Sequence, residues 1–128
     1  MSYYISKTIE TTFDEAIRRV TETLKGVGFG LISTIDIREK LKEKLDVDFK
    51  KYVILGACNP AFAYKALQLE DKIGVLLPCN VIVQEVGDGK IEVAAVDPME
   101  SMQAVKNKQL GTMAGEVSEK LSKAINDL

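Results

Sequence analysis

Residues alternate in character from the start of the chain: Tyr3, Ile5, Lys7 and Ile9 fall on one side, and Tyr4, Ser6, Thr8 and Glu10 on the other. A period of two predicts a first strand with two different faces. The spacing then turns helical over Phe13, Ala16, Ile17, Val20, Leu24 and Val27. Thr12 and Glu15 are spaced as a capping box, in which hydroxyl and carboxylate each satisfy a free backbone N–H. Gly26, Gly28 and Gly30 supply the stop, because glycine readily takes left-handed conformations. Leu31 to Ile37 predicts a second strand. Asp36 and Glu39 repeat the capping spacing, and Leu41 and Leu45 mark a short, mostly polar helix.

Tyr52 to Ala57 is a continuous apolar run, too short for a stable helix and suited to a central strand. Asn59 follows as an N-cap with Pro60 at the first helical position, a strong start signal. Phe62, Ala66 and Leu69 then form one stripe, with Ala63 and Leu67 adjoining it. Ile73 to Val86 reads as a long extended segment. Pro78 inside it cannot donate to a ladder, which predicts an edge or a bulge there. Gly87-Asp88-Gly89 is a turn, and Lys90 to Val96 the returning strand of a hairpin. Asp97-Pro98 repeats the cap-plus-proline start. Leu110, Met113, Val117, Leu121 and Ile125 carry an amphipathic final helix after a break near Lys106 to Gln109. The expectation is a single α+β domain over residues 1–128, with a five-stranded, mainly antiparallel sheet and helices packed on one face.

Composition narrows the chemistry. The chain has 128 residues, 46% hydrophobic and 28% charged, within the globular range. A net charge of −2 with mixed signs leaves no basic face for phosphates, so no nucleic-acid partner is expected. No apolar run approaches membrane-spanning length and no charged-then-apolar leader is visible, so a soluble, cytoplasmic protein without membrane contact is expected. Histidine is absent. That removes the usual general base and the commonest metal ligand, and excludes histidine-activated serine or cysteine nucleophiles. Two cysteines with scattered carboxylates fit a zinc site poorly. In such a chain they are expected as free thiols. No catalytic residue, metal ligand or cofactor is assigned.

The remaining candidates are two near-mirror tripeptides, Cys58-Asn59-Pro60 and Pro78-Cys79-Asn80. A helix over Pro60 to Glu70 advances about 16 Å. An extended return from Ile73 to Pro78 retraces about 20 Å, so Cys79 is expected beside Cys58. Cys58 immediately precedes a helix N-cap, where backbone N–H groups and the helix dipole lower a thiol pKa. Asn80 would add amide groups near the same spot, whereas Asn59 is occupied in capping. Cys58, Asn59, Cys79 and Asn80 are therefore the candidate ligand-binding residues, for a small anionic or polar ligand, a soft metal ion or thiol exchange. The plainer readings carry weight beside these. Buried cysteine is usually a small hydrophobe and Asn-Pro usually a helix start. Met99, Met102 and Met113 are more often core filler than metal ligands. Gly111 and Gly115 suit close helix or subunit packing.

Leu55-Gly56-Ala57-Cys58-Asn59-Pro60, Gly74 to Val81 and Asp97-Pro98 together resemble the prokaryotic family catalogued as domain of unknown function 302. The resemblance extends over nearly the whole chain. It implies a compact α+β domain similar in outline to the TATA-binding-protein fold, assembled as a homodimer, without implying DNA binding. It also implies that Cys58, Asn59, Pro60, Pro78, Cys79 and Asn80 are the family's motif positions. The family has no established activity to transfer. The leading expectation is a small dimeric binding or interaction module with a pocket at the two Cys-Asn motifs. The alternative is a thiol-based redox or soft-metal-responsive protein using Cys58 and Cys79. Structural dimerisation without a ligand is a third reading, its interface marked by exposed apolar surface on the last helix or first strand.

Overall fold

The computed structural model describes residues 2–128. Five strands form one sheet: β1 (Tyr4–Glu10), β2 (Gly30–Asp36), β3 (Tyr52–Cys58), β4 (Cys79–Gly87) and β5 (Lys90–Val96). Their order is β1-β5-β4-β3-β2, and every neighbouring pair is antiparallel. Five helices accompany them: α1 (Phe13–Gly26), α2 (Ile37–Leu45), α3 (Pro60–Leu69), α4 (Pro98–Ser101) and α5 (Lys108–Asn126).

The caps explain where the helices begin. Thr12 Oγ1 accepts from the Glu15 N–H at 3.2 Å, and Asp36 Oδ1 from the Glu39 N–H at 3.0 Å. Asn59 and Asp97 cap α3 and α4, each followed by proline at the helix start. Only half of the first capping box closes. The Glu15 carboxylate turns to Arg18, at 3.0 Å from its Nε, and to Arg19, at 3.5 Å. The cap of α5 is Asn107, whose Oδ1 accepts from the N–H groups of Gln109 and Leu110.

The core lies against one face of the sheet. Ala16, Val20 and Leu24 of α1 and Val117, Leu121, Ala124 and Ile125 of α5 meet the inward residues Val53, Leu55, Ala57, Val81, Val83, Ile91, Val93 and Ala95. Strand alternation makes this division, because residues two apart share a face. Lys7 shares the inward side of β1, and its Nζ donates to the backbone oxygens of Asn126 and Leu128 at 2.9 and 2.6 Å. The ammonium thus fastens the first strand to the end of α5. Among the described residues, no helix is long and apolar enough to cross a membrane.

One segment departs from the sequence expectation. Asp71–Leu76 is a 3-10 helix rather than extended chain, packed by Ile73 against Ala66 and Leu110. Pro78 therefore does not interrupt a strand. It follows a cis Leu77–Pro78 bond and stands immediately before β4, the middle strand of the sheet, where neither an edge nor a bulge is needed. The β4 bulge lies at the strand's other end, between Glu85 and Gly87.

Gly56 holds the middle of the sheet together by having no side chain. It pairs with Ser33 on β2 and Asn80 on β4. A Cβ there would overlap Ser33 Oγ and stand 2.9 Å from Pro78 Cγ. Gly56→Ala is expected to destabilise the fold by about 1–3 kcal/mol, as overpacking of a close contact does. Urea denaturation checks this, and an unchanged midpoint would contradict the close approach.

Candidate functional site

The two tripeptides meet through strand pairing. Ala57 is directly opposite Cys79, and Cys58, the next residue, is opposite Gly30. The two motifs thus lie at one level of the sheet, through the antiparallel register of β3 and β4. The supposed extended return is a 3-10 helix. Both cysteines are free thiols, Cys58 half-buried and Cys79 buried.

Both line a cavity of about 290 Å³ at this end of the sheet. Its walls are the strand ends at Ala57, Cys58 and Cys79, Phe62, Ala63 and Ala66 of α3, and Leu110, Met113, Ala114 and Val117 of α5. Phe29, Ile32, Leu77, Pro78, Pro98 and Met102 complete it. The space exists because the residues where α3 and α5 face the strand ends include four alanines. Larger side chains there would fill it. No charged residue lines the cavity, and Asn59 is its single polar side chain.

Asn59 is committed to structure. Its Oδ1 accepts from the Phe62 N–H at 3.3 Å. Its Nδ2 would stand 3.0 Å from a Cβ on Gly28, which has φ +89°. A side chain at Gly28 would meet both a strained backbone and the cap of α3. The turn after α1 and the start of α3 are therefore fitted to each other.

Asn80 does not join the cavity. One residue beyond Cys79 on β4, it belongs to the opposite, open face of the sheet, and it is exposed. There it borders a separate hollow with Tyr4, Tyr52, Ile82, Gln84 and Ala94. In that hollow Gln84 Nε2 donates to Glu92 Oε1 at 2.8 Å. The candidate set is thus divided: Cys79 faces the core side, Cys58 and Asn59 border the cavity where β3 ends, and Asn80 lies on the open face.

Sequence reasoning missed most of the cavity. Phe62 and Ala66 were visible as a stripe, as were Leu110, Met113 and Val117. Nothing local indicated that the two stripes would face each other across a gap. Electrostatically the site is quiet. Burial pushes the Cys79 thiol from its ordinary 9.0 up to about 11, and neighbouring Cys58 adds to the rise. Among the described residues, no cluster of three or more His, Cys, Asp or Glu is placed to hold a metal ion.

Comparisons with known proteins agree with this architecture. A family model described as Domain of unknown function DUF302 matches residues 5–128. The chain is similar to the crystal structure of an uncharacterized conserved DUF302 protein from Bacillus stearothermophilus, with a TM-score of 0.90 and 28% identity over 98% of each chain. Among proteins with curated descriptions, none matches.

The elevated Cys79 pKa has a direct chemical consequence. With a value of about 11, only about one Cys79 in a thousand is a thiolate at pH 8. Iodoacetamide is expected to leave it unmodified in native protein at that pH. Its rate should rise about tenfold per pH unit up to pH 11, as the thiolate fraction grows. Rapid alkylation of Cys79 at pH 8, seen by peptide mapping of folded protein, would contradict this environment.

Proposed function

We propose a function from geometry, since the chain belongs to the family described as Domain of unknown function DUF302, a description that names no activity. The protein is a binding module for a small, uncharged, apolar molecule held in the cavity between the strand ends, α3 and α5. One observation supports this reading above the others: a cavity of about 290 Å³ whose lining holds no charged group and one polar side chain already spent on a cap. Its size lies at the small end of ligand pockets, and apolar walls with few polar groups are their usual character. A small anion or polar ligand, the sequence expectation, would lose its hydration here without gaining a partner.

The redox alternative is less favoured. Exchange between the pair needs Cys79 to ionise as the resolving thiol, and its burial resists that. No general base lines the cavity.

Naphthalene is a suitable probe for the apolar reading, with benzoate as its charged counterpart of similar shape. Naphthalene is expected to bind saturably, one per chain, and to raise the melting temperature. Benzoate should do neither. Ala114→Leu, which fills the cavity from the middle of α5, should weaken naphthalene by at least about tenfold, the weight of one to two buried methylenes, and keep the fold. Equal binding to wild type and Ala114→Leu would remove the cavity as the site.

We further propose that the open face of the sheet joins two copies of the chain. An antiparallel sheet can leave one face in water when that face is polar. Here the uncovered face presents Tyr4, Tyr52, Ile35, Ile54, Ile82 and Val96, with Tyr4 and Ile35 each 44% exposed. Five strands at about 4.8 Å spacing and about 23 Å length offer roughly 500 Å² in plan, the scale of a standard protein–protein interface once side-chain relief is included. Sedimentation equilibrium is expected to give the mass of two chains. Ile82→Glu should weaken association at least about a hundredfold, since two copies of a buried unpaired charge meet at the same face. A monomeric wild-type protein at micromolar concentration would dismiss this assembly.

A further inference from the structure

The hollow on the open face of the sheet has the opposite character to the cavity. Strand register sets its plan. Tyr4 is opposite Val96, Ala94 is opposite Ile82, and Gln84 has Glu92 on one side and Tyr52 on the other. Successive rows on this face are two residues, about 7 Å, apart. Ala94 is the small side chain in the middle, so its longer neighbours enclose a space of about 430 Å³. At one end the rings of Tyr3 and Tyr4 meet edge to face, 5.1 Å apart at 74°. At the other, Gln84 Nε2 donates to Glu92 Oε1 at 2.8 Å, while Gln84 Oε1 is buried with no partner. Buried acceptors are rarely left so. Glu92 is half-buried, and among the described residues no cation pairs with it.

We propose that this hollow binds a small aromatic cation of the amidinium or guanidinium class. The Glu92 carboxylate lacks a counter-charge, and a planar cation brings it paired N–H donors along with that charge. Another N–H of the same group answers Gln84 Oε1, since the hydrogen bond holds amide and carboxylate side by side. Tyr52, in the same row, brings to that corner an aromatic ring, whose face attracts cations. Ala94, Ile82 and Val96 give the ligand's own ring an apolar floor. Glu92 repels an anion, and an uncharged apolar molecule would bury the carboxylate without compensating it. Every residue of the site belongs to one chain, so the inference does not rest on the joining of two copies through this face. A bound cation also neutralises the charge that such joining would bury.

Titration calorimetry on the full chain tests this, with benzamidine as probe and benzamide as its uncharged counterpart of the same shape. Benzamidine is expected to bind once per chain with a dissociation constant below about 1 mM. Benzamide should bind at least about tenfold more weakly, the weight of a hydrogen bond to a charged group. Glu92→Gln keeps a carbonyl oxygen for Gln84 Nε2 and should weaken benzamidine about ten- to a hundredfold. Tyr52→Leu should cost about threefold, whereas Tyr52→Phe keeps the ring and should bind as wild type does. Ala114→Leu, which fills the separate cavity, should leave benzamidine unaffected. The site is overturned by wild-type protein that takes up no benzamidine, by benzamide binding equally well, or by Glu92→Gln binding as wild type does. Loss of benzamidine on Ala114→Leu overturns it too, by moving the cation to the cavity. Sedimentation of the same samples keeps this reading apart from the joining of copies. Benzamidine bound at the mass of one chain supports the site and defeats the joining alone, and the mass of two chains without benzamidine defeats the site alone.

Discussion

The antiparallel register of β3 on β4 is the constraint from which the candidate site follows. Ala57 opposite Cys79 and Gly56 opposite Asn80 place two distant stretches of sequence at one level of the sheet. Gly56 makes that register possible, since Ser33 and Pro78 occupy the volume that any side chain would need. Shift the pairing by one residue and every inward side chain of β4 would face outward. Cys79 would then leave the core and Asn80 would enter it unpaired. The burial of Val81 and Val83 on the same face resists such a slip, because both would become exposed.

From this register the rest is assembled by helices that arrive with small residues at their contact points. Ala63 and Ala66 on α3, Ala114 on α5 and Ala57 on β3 hold the walls apart. A close-packed interior ordinarily tolerates few voids larger than a water molecule. An unfilled space of this size withholds van der Waals contacts on the order of several kcal/mol from its lining. The fold carries that deficit through the continuous core beneath, where α1 and α5 meet the inward sheet face. An occupant would recover part of it. Stability and occupancy are in this way linked through the same wall atoms.

Much of the architecture was legible in the sequence, and the reason is local chemistry. Thr12, Asp36, Asn59-Pro60 and Asp97-Pro98 mark helix starts because a side-chain oxygen or a missing N–H answers the unpaired donors of a first turn. Asn107 does the same for α5 but is masked by flanking lysines, which suggested only a break. The segment Ile73-Gly74-Val75-Leu76-Leu77 was misread because an apolar run before proline looks extended. Tertiary packing of Ile73 against Ala66 and Leu110 decided otherwise. For the site, the common level of the two motifs was legible but the face of the sheet that each side chain takes was not. Asn80 parts from Cys79 through strand alternation, which operates only if β4 begins at Cys79 itself. The cavity was not legible, because an absence of packing among five separate segments leaves no periodic signature.

Sulfur chemistry offers a last consequence. Peroxide attacks thiolates far faster than thiols, so susceptibility to sulfenic acid formation follows ionisation and access together. Cys79 lacks both, being buried and holding its proton to about pH 11. It is therefore sheltered from oxidation that would consume an exposed, ionised cysteine.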